Sequence, residues 1–181
     1  MQQVLSVARF QWNRAIFFAA LLFVPVLGIT QPVATVPCPV VHQAKDFAAA
    51  WTAAVIGPGN RDHTCLRQLL TKDALITGAA INDDGKTGRI VETTDQFIDW
   101  YEKRGTETFW ERSLRSTLVV YNNVARMIRI YEVRGTANGP VTARGIEDFQ
   151  LVFDGLEWRA FTILWQDEIP GKPLPHRLLA K

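Results

Sequence analysis

The stretch that decides the fold runs from residue 109 to residue 167 and ends in VTARGIEDFQLVFDGLEWRAFTILWQD, residues 141–167. The stretch is rich in β-branched and aromatic residues, which favour strands, and turn signals interrupt it at short intervals. Asn122-Asn123 and Asp154-Gly155 are typical of tight turns between antiparallel strands. Long segments joined by such short connections predict an antiparallel meander. The four predicted strands are 109–121, 124–134, 141–153 and 157–167.

The part of the chain before this stretch shows helical periodicity. Phe47, Trp51 and Val55 recur at intervals of four residues, which is typical of the apolar face of a helix. Because helices come first and long strands follow, we expect an α+β domain in which about three N-terminal helices pack on a strongly curved antiparallel sheet. Such a cone leaves a hollow at its open end. The predicted helices cover 41–56, a short piece after Asp62, and a segment starting at Thr93 or Thr94, with a short strand at 74–77 and a loop at 78–89.

The first thirty residues have the pattern of an export signal. Arg9 and Arg14 precede an apolar run over 15–29, and the first acidic residue of the chain is Asp46. An uncleaved membrane anchor is the alternative, although Pro25 interrupts the run, which is shorter than a usual spanning helix. In both cases we expect the domain outside the cytoplasm, either exported to the periplasm or medium or anchored by residues 1–30.

The remaining boundaries follow from composition. Residues 31–40 contain three prolines and are predicted to form a linker, residues 41–168 the folded domain, and residues 169–181 a tail. Without Arg9 and Arg14 the chain has equal numbers of acidic and basic residues and no run of Lys or Arg, so we expect no binding to nucleic acid.

The chain has two cysteines, Cys38 and Cys65. In an oxidising compartment such a pair is a candidate disulfide, and two free thiols are the alternative. There is no pair of cysteines or histidines at the spacing of metal ligands, so we predict no metal site and no cofactor.

The order of elements, the passage Leu66-Arg67-Gln68-Leu69-Leu70-Thr71-Lys72-Asp73-Ala74 and the hairpin Asp154-Gly155-Leu156-Glu157-Trp158-Arg159 resemble the nuclear transport factor 2-like superfamily. More narrowly, they resemble its SnoaL-like and steroid-isomerase-like branch. The resemblance covers about residues 43–167 and implies a cone-shaped pocket and a homodimer formed through the sheet. It does not imply one activity, because enzymes, subunits and binding proteins share the fold.

Enzymes of this superfamily carry an acid or base inside the cone, where an apolar environment raises the pKa of a carboxyl group. Glu147 shares the face of Phe149 and Leu151 by strand alternation, and it is the candidate base, with an ordinary surface pair to Arg129 or Arg144 as the alternative. Tyr131 is the candidate hydrogen-bond donor. His63, at the start of the second helix, is a weaker candidate. The candidate pocket walls are Trp110, Phe149, Phe161 and Trp165.

Three functions are compatible with these features. The first is an exported domain whose pocket binds a small apolar ligand, or whose surface binds a protein. The second is a cofactor-free isomerase, dehydratase or cyclase that uses the acid or base in the cone. The third is a scaffold held at the membrane by residues 1–30.

Overall fold

The computed structural model describes residues 37–81, 86–169 and 171–179. Within these ranges the chain forms short helices and long strands. The helices are α1 (Phe47–Val55), α2 (Thr64–Gln68), α3 (Thr94–Glu102) and α4 (His176–Leu179). The strands are β1 (Gly57–Pro58), β2 (Leu70–Ile81), β3 (Thr87–Glu92), β4 (Thr108–Tyr121), β5 (Val124–Arg134), β6 (Val141–Phe153) and β7 (Trp158–Asp167).

The strands form one seven-stranded sheet in the order β1-β4-β5-β6-β7-β2-β3. Strands β4 to β7 form the antiparallel meander that the sequence predicts. Strand β2 joins the free edge of β7 in parallel, and β3 pairs antiparallel with β2. The α+β class and the curved, mainly antiparallel sheet are therefore confirmed.

The edge formed by β2 and β3 differs from the prediction. Residues 78–89 were expected to be a loop, but β2 continues to Ile81 and β3 begins at Thr87. The small residues of Gly78-Ala79-Ala80 have weak strand preference, so their conformation comes from pairing with β3 and β7 rather than from local propensity.

The helices cover the inner face of the sheet. Phe47 and Trp51 of α1 pack edge-on against Phe149 of β6, with ring centroids 5.4 and 5.0 Å apart. Thr93, one of the two alternatives that the sequence offers, caps the start of helix α3. Its hydroxyl accepts a hydrogen bond from the Gln96 amide, while the Gln96 side chain accepts one from the Thr93 amide. This contact region is the core, and it fills the closed end of the cone.

A disulfide joins Cys38 to Cys65 across 27 residues, with the two Cα atoms 5.1 Å apart. It links the segment before α1 to α2. The Trp158 amide also donates to the Val41 carbonyl, at 2.8 Å, so the start of the domain is attached to β7 as well.

The predicted signal or anchor at 1–30 and the linker residues before 37 lie outside the described residues. Among the residues that the structure describes, no helix is long and apolar enough to cross a membrane.

Candidate functional site

A cavity of about 300 Å³ lies between the inner face of the sheet and helices α1 and α3. Its walls come from these two helices and from β3 to β7, so it forms only when the whole domain is folded. Its lining combines aromatic rings with carboxyl groups.

Seven aromatic rings line the cavity and give it its apolar character. They belong to Trp51, Phe97, Trp100, Tyr101, Phe109, Tyr131 and Trp165. Trp51 and Phe97 stack with centroids 6.1 Å apart, and Phe97 meets Tyr101 edge-on at 5.2 Å. Aliphatic side chains complete the apolar part of the wall: Ile90, Val133, Ala143 and Ile163. The arrangement suits a flat or compact apolar molecule.

The deepest polar group is Arg129 of β5, whose side chain is completely buried. Its Nε donates to Oε2 of Glu147 at 2.8 Å, and its Nη1 donates to the Thr52 hydroxyl at 2.8 Å. Its Nη2 bonds Glu111 and lies 2.7 Å from Oε2 of Glu147. One guanidinium thus bridges two buried carboxyl groups on the neighbouring strands.

This arrangement perturbs the acidity of both carboxyl groups. Burial raises the pKa of Glu147 to about 8, since Arg129 offsets only part of the desolvation and the charges of Glu111 and Asp167 act in the same direction as burial. Burial also raises the pKa of Glu111. The positive charge of Arg129 is shared by two carboxyl groups and cannot fully neutralise both. We therefore expect Glu147 to hold a proton at neutral pH.

Tyr131 and Asp167 form the second polar pair of the wall. The Tyr131 hydroxyl donates to Oδ1 of Asp167 at 2.6 Å. Gly145 lies opposite both residues in the sheet, and a Cβ atom there would collide with the Tyr131 ring. The absence of that atom lets the tyrosine cross β6 and reach β7. Burial, followed by the charge of Asp167, raises the pKa of Tyr131.

A fourth carboxyl group, that of Glu92, lies at the end of β3. Partial burial raises its pKa, and the charge of Lys103 opposes that shift. Glu92 lines the cavity together with Trp100, which is 46% exposed, so these two residues form part of its mouth.

The structure brings three of the predicted site residues to the cavity: Glu147, Tyr131 and Trp165. The expected partner of Glu147, Arg129, is present, but the pair is buried instead of lying on the surface. Strand β5, whose inward face the sequence leaves open, points Met127, Arg129 and Tyr131 inward.

His63 does not reach the cavity lining. It is buried before α2, and its Nε2 donates to the Gly59 carbonyl at 2.8 Å. Its ring packs near Tyr101, with centroids 5.5 Å apart. These contacts give His63 a structural role behind the cavity wall, where a base would have no access to a ligand.

Three predicted wall residues also lie elsewhere. Phe149 faces inward but is covered by α1, and Trp110 lies on the opposite face of β4 from Glu111. Phe161 points outward and is 46% exposed, because β7 has a bulge at this point: Leu151 pairs with Ala160 and Gln150 with Thr162. The extra residue reverses the alternation that placed Phe161 beside Trp165.

Sequence reasoning missed several residues of the wall. The helical spacing of Trp51 in the first helix, and of Phe97 and Tyr101 in the third, indicates only an apolar helix face, and no sequence pattern gives Glu111 a role. Alternation with Phe109 is the signal that could have placed Glu111 inside. In the described part of the chain, no group of three His, Cys, Asp or Glu side chains is placed to hold a metal ion.

Solved structures with similar folds were found at low sequence identity. One is described as the β subunit of an aromatic-ring-hydroxylating dioxygenase from Novosphingobium aromaticivorans, with 16% identity, a TM-score of 0.54, and coverage of 69% of this chain and 86% of that one. A protein of unknown function from Mycobacterium tuberculosis has 16% identity and a TM-score of 0.52, and the match covers 71% and 72% of the two chains. A nuclear transport factor 2-like protein of unknown function from Pseudomonas putida has 11% identity and a TM-score of 0.52, with coverage of 67% and 82%.

No protein-family description matches the sequence, and no curated protein matches it either. The structural similarity shows the fold: the chain has the nuclear transport factor 2-like fold, as the resemblance implied. At identities of 11–16%, the similarity does not show that this chain shares the activity of any of these proteins.

Proposed function

We propose that the inner cavity binds a small, largely apolar molecule and that the protein acts as an exported binding domain. The observation that carries this proposal is a cavity of about 300 Å³ with seven aromatic rings in its wall. Binding sites for small molecules are concave and mainly apolar, with a few polar groups that fix orientation, and this cavity has that composition.

Export is part of the proposal and rests on the N-terminal pattern of Arg9, Arg14 and the apolar run over 15–29. The Cys38–Cys65 disulfide supports it, because such bonds persist in oxidising compartments and are rare in reducing ones. An uncleaved leader would make the same domain a membrane-held binding protein.

A second candidate function is acid–base catalysis without a cofactor, of the isomerase, dehydratase or cyclase type. The observation in its favour is the pKa of Glu147, which is raised to about 8 by burial and suits proton transfer near neutral pH. Because Glu147 is protonated below that pH, it would act first as an acid rather than as the expected base. Its fixed contact with Arg129, at 2.7–2.8 Å, favours the binding function over catalysis.

The binding proposal can be tested by filling the cavity. Ala143 of β6 lines it, and the neighbouring Thr142 is exposed and points to the other face of the strand. We expect wild type and Thr142→Phe to bind a neutral fluorescent probe, N-phenyl-1-naphthylamine, and we expect Ala143→Phe to lose most of this binding. Equal binding by all three proteins would contradict the proposal.

If a substrate is found, Glu147→Gln separates the two candidate functions. Loss of turnover with unchanged ligand affinity would favour the enzyme, because the amide keeps the shape of the carboxyl group but cannot transfer its proton. Unchanged product formation by the variant would exclude Glu147 as the acid.

The outer face of the sheet is proposed to contact a second copy of the chain. Val119, Tyr121, Val124 and Phe161 are exposed on it by 66, 80, 55 and 46%, which is unusual for neighbouring apolar residues. A light-scattering mass of a dimer for wild type and of a monomer for Phe161→Asp would support this arrangement. A monomeric wild type would contradict it.

A further inference from the structure

One buried hydrogen-bond donor in the wall of the inner cavity has no acceptor. Trp51 lines the cavity from α1 and is 1% exposed, and its Nε1 has no hydrogen-bond partner in the described part of the chain. We infer that the ligand is a neutral ring compound with an oxygen atom that accepts a hydrogen bond from the Trp51 indole. This inference rests on the proposed binding function and adds to it the chemical class of the ligand.

The other buried donors around the cavity already bond protein oxygen atoms. Each of the three nitrogen atoms of the Arg129 guanidinium donates to a neighbouring side chain. The Tyr131 hydroxyl donates to Asp167 at 2.6 Å. Among the lining residues that the structure describes, Trp51 alone has a buried side-chain nitrogen or oxygen atom without a partner. This indole is therefore the donor that a ligand would find available.

An indole N–H group can only donate a hydrogen bond, and buried donors are nearly always bonded. Within the protein, Phe149 meets Trp51 edge-on, with ring centroids 5.0 Å apart. An aromatic face is a much weaker acceptor than an oxygen atom. A ligand oxygen in the cavity would therefore give this N–H group a better partner than the surrounding rings do.

The position of Trp51 indicates how such a ligand would lie. Trp51 packs against Phe149 in the core at the closed end of the cone, whereas Trp100 is 46% exposed at the mouth. The accepting oxygen would therefore point inward. The carbon skeleton would extend toward the mouth along the ring of Phe97, which stacks on Trp51 with centroids 6.1 Å apart.

The charges around the cavity favour a neutral ligand. Glu92 and Asp167 line it, and their negative charges would repel a carboxylate or a phosphate. The rings of Tyr101 and Phe109 already have a cation over them, since the Arg104 guanidinium lies 4.6 and 4.7 Å from their centroids. Nε and Nη2 of Arg104 also lack partners, but Arg104 does not line the cavity. A ketone, an ether or another uncharged oxygen compound satisfies Trp51 without adding a charge.

The test compares two probes of nearly equal shape, acetophenone and α-methylstyrene, which differ only in having an oxygen atom or a methylene group. Their affinities are measured by displacement of N-phenyl-1-naphthylamine from wild type, Trp51→Phe and Trp110→Phe. Because the probes differ in their transfer from water, the quantity compared between proteins is the ratio of the two affinities. We expect Trp51→Phe to reduce this ratio by about fivefold at the expense of acetophenone, since the variant lacks the N–H group. Trp110→Phe is the matched control, because Trp110 does not line the cavity, and its ratio should equal that of wild type.

A measurement on wild type makes the test independent of whether Trp51→Phe folds. The proton–nitrogen correlation spectrum of isotope-labelled protein contains a separate signal for each indole N–H group. A hydrogen bond to oxygen moves the proton resonance downfield. We expect acetophenone to shift the Trp51 indole proton downfield and α-methylstyrene not to do so, while the Trp110 signal stays in place with both probes.

Several outcomes would overturn the inference and leave the proposed function intact. They are an equal affinity ratio in wild type and Trp51→Phe, an indole signal that moves alike with both probes, and binding of N-phenyl-1-naphthylamine that neither probe displaces. Benzoate, an anion with the shape of acetophenone, should bind at least about tenfold more weakly than acetophenone, and tighter binding of benzoate would show that the ligand is not neutral. If N-phenyl-1-naphthylamine does not distinguish wild type from Ala143→Phe, the proposed function fails together with the inference.

Discussion

Replacing Arg129 with methionine should strongly destabilise the domain. The side chain is completely buried and bonds Glu147, Thr52 and Glu111. Its removal leaves two buried carboxyl groups without a counter-charge, which costs about 3–5 kcal/mol of unfolding free energy. With a typical urea dependence of about 2 kcal/mol per molar, the midpoint at pH 8.5 should fall by about 2 M.

The loss should depend on pH, and its sign follows from the two carboxyl groups. Burial raises the pKa of Glu111 and Glu147 in the native state, and removing Arg129 raises both further. The folded state of the variant then binds more protons than its unfolded state, so its unfolding free energy falls as the pH rises above about 4.5. Urea titrations followed by circular dichroism should therefore show a smaller difference from wild type at pH 5.5 than at pH 8.5.

Two control proteins make this prediction specific. Arg126 lies on the outer face of the same strand and pairs with Asp148 at 3.0 Å, with its side chain 60% exposed, so Arg126→Met should cost less than about 1 kcal/mol. Combining Arg129→Met with Glu111→Gln and Glu147→Gln should restore much of the lost stability, because no buried charge is left unpaired. The reasoning is refuted if Arg129→Met costs no more than Arg126→Met, or if its cost is the same at both pH values.

Three further changes test other parts of the structure. The unfolding free energy of wild type should fall between about pH 4.5 and 8, because Glu147 holds a proton in the native state that the unfolded chain releases. Glu147→Gln should show a smaller fall over this range, as measured by urea titrations at each pH. Replacing Cys38 and Cys65 with serine should lower the unfolding free energy by about 3 kcal/mol, and dithiothreitol should then affect only wild type. Gly78→Ala places a Cβ atom 2.5 Å from the Trp165 ring, so it should displace the ring, alter tryptophan fluorescence and weaken probe binding.

Each of these has an outcome that contradicts it. Parallel pH curves for wild type and Glu147→Gln would show that Glu147 titrates normally. An unchanged urea midpoint in the double serine variant would show that the disulfide does not constrain the unfolded chain. Gly135→Ala is the control for Gly78→Ala because no atom lies within 4 Å of its added Cβ. If the two variants bind the probe with the same affinity, the predicted collision with the Trp165 ring is wrong.

The four central strands could be predicted because their local signals agree with their tertiary setting. Alternating apolar residues, Asn122-Asn123 and Asp154-Gly155 all indicate the same hairpins, and the bounds of β5 and β6 coincide with the predicted ones. The apolar piece 74–77 of β2 was predicted, but the rest of β2 and the edge strand β3 could not be. Their small and polar residues become strands only because β2 pairs with β7 and β3 pairs with β2.

The site was harder to predict because it depends on register. Glu147 and Arg129 face each other only because β5 and β6 pair at those positions. A bulge that the sequence does not reveal turns Phe161 to the outer face. The contribution of α3 to the wall also depends on how the helix lies across the sheet, which periodicity alone does not determine, so Tyr101 was missed.

Native mass spectrometry of the protein purified from its own host, beside the Ala143→Phe variant produced in the same way, tests the binding proposal most directly. We expect wild type to retain a small molecule that the variant lacks, because the added ring occupies the space where that molecule would lie. The mass of the retained molecule, and its charge in solution, would identify its class. A wild type that carries nothing and does not bind N-phenyl-1-naphthylamine would contradict the proposal that this cavity is a binding site.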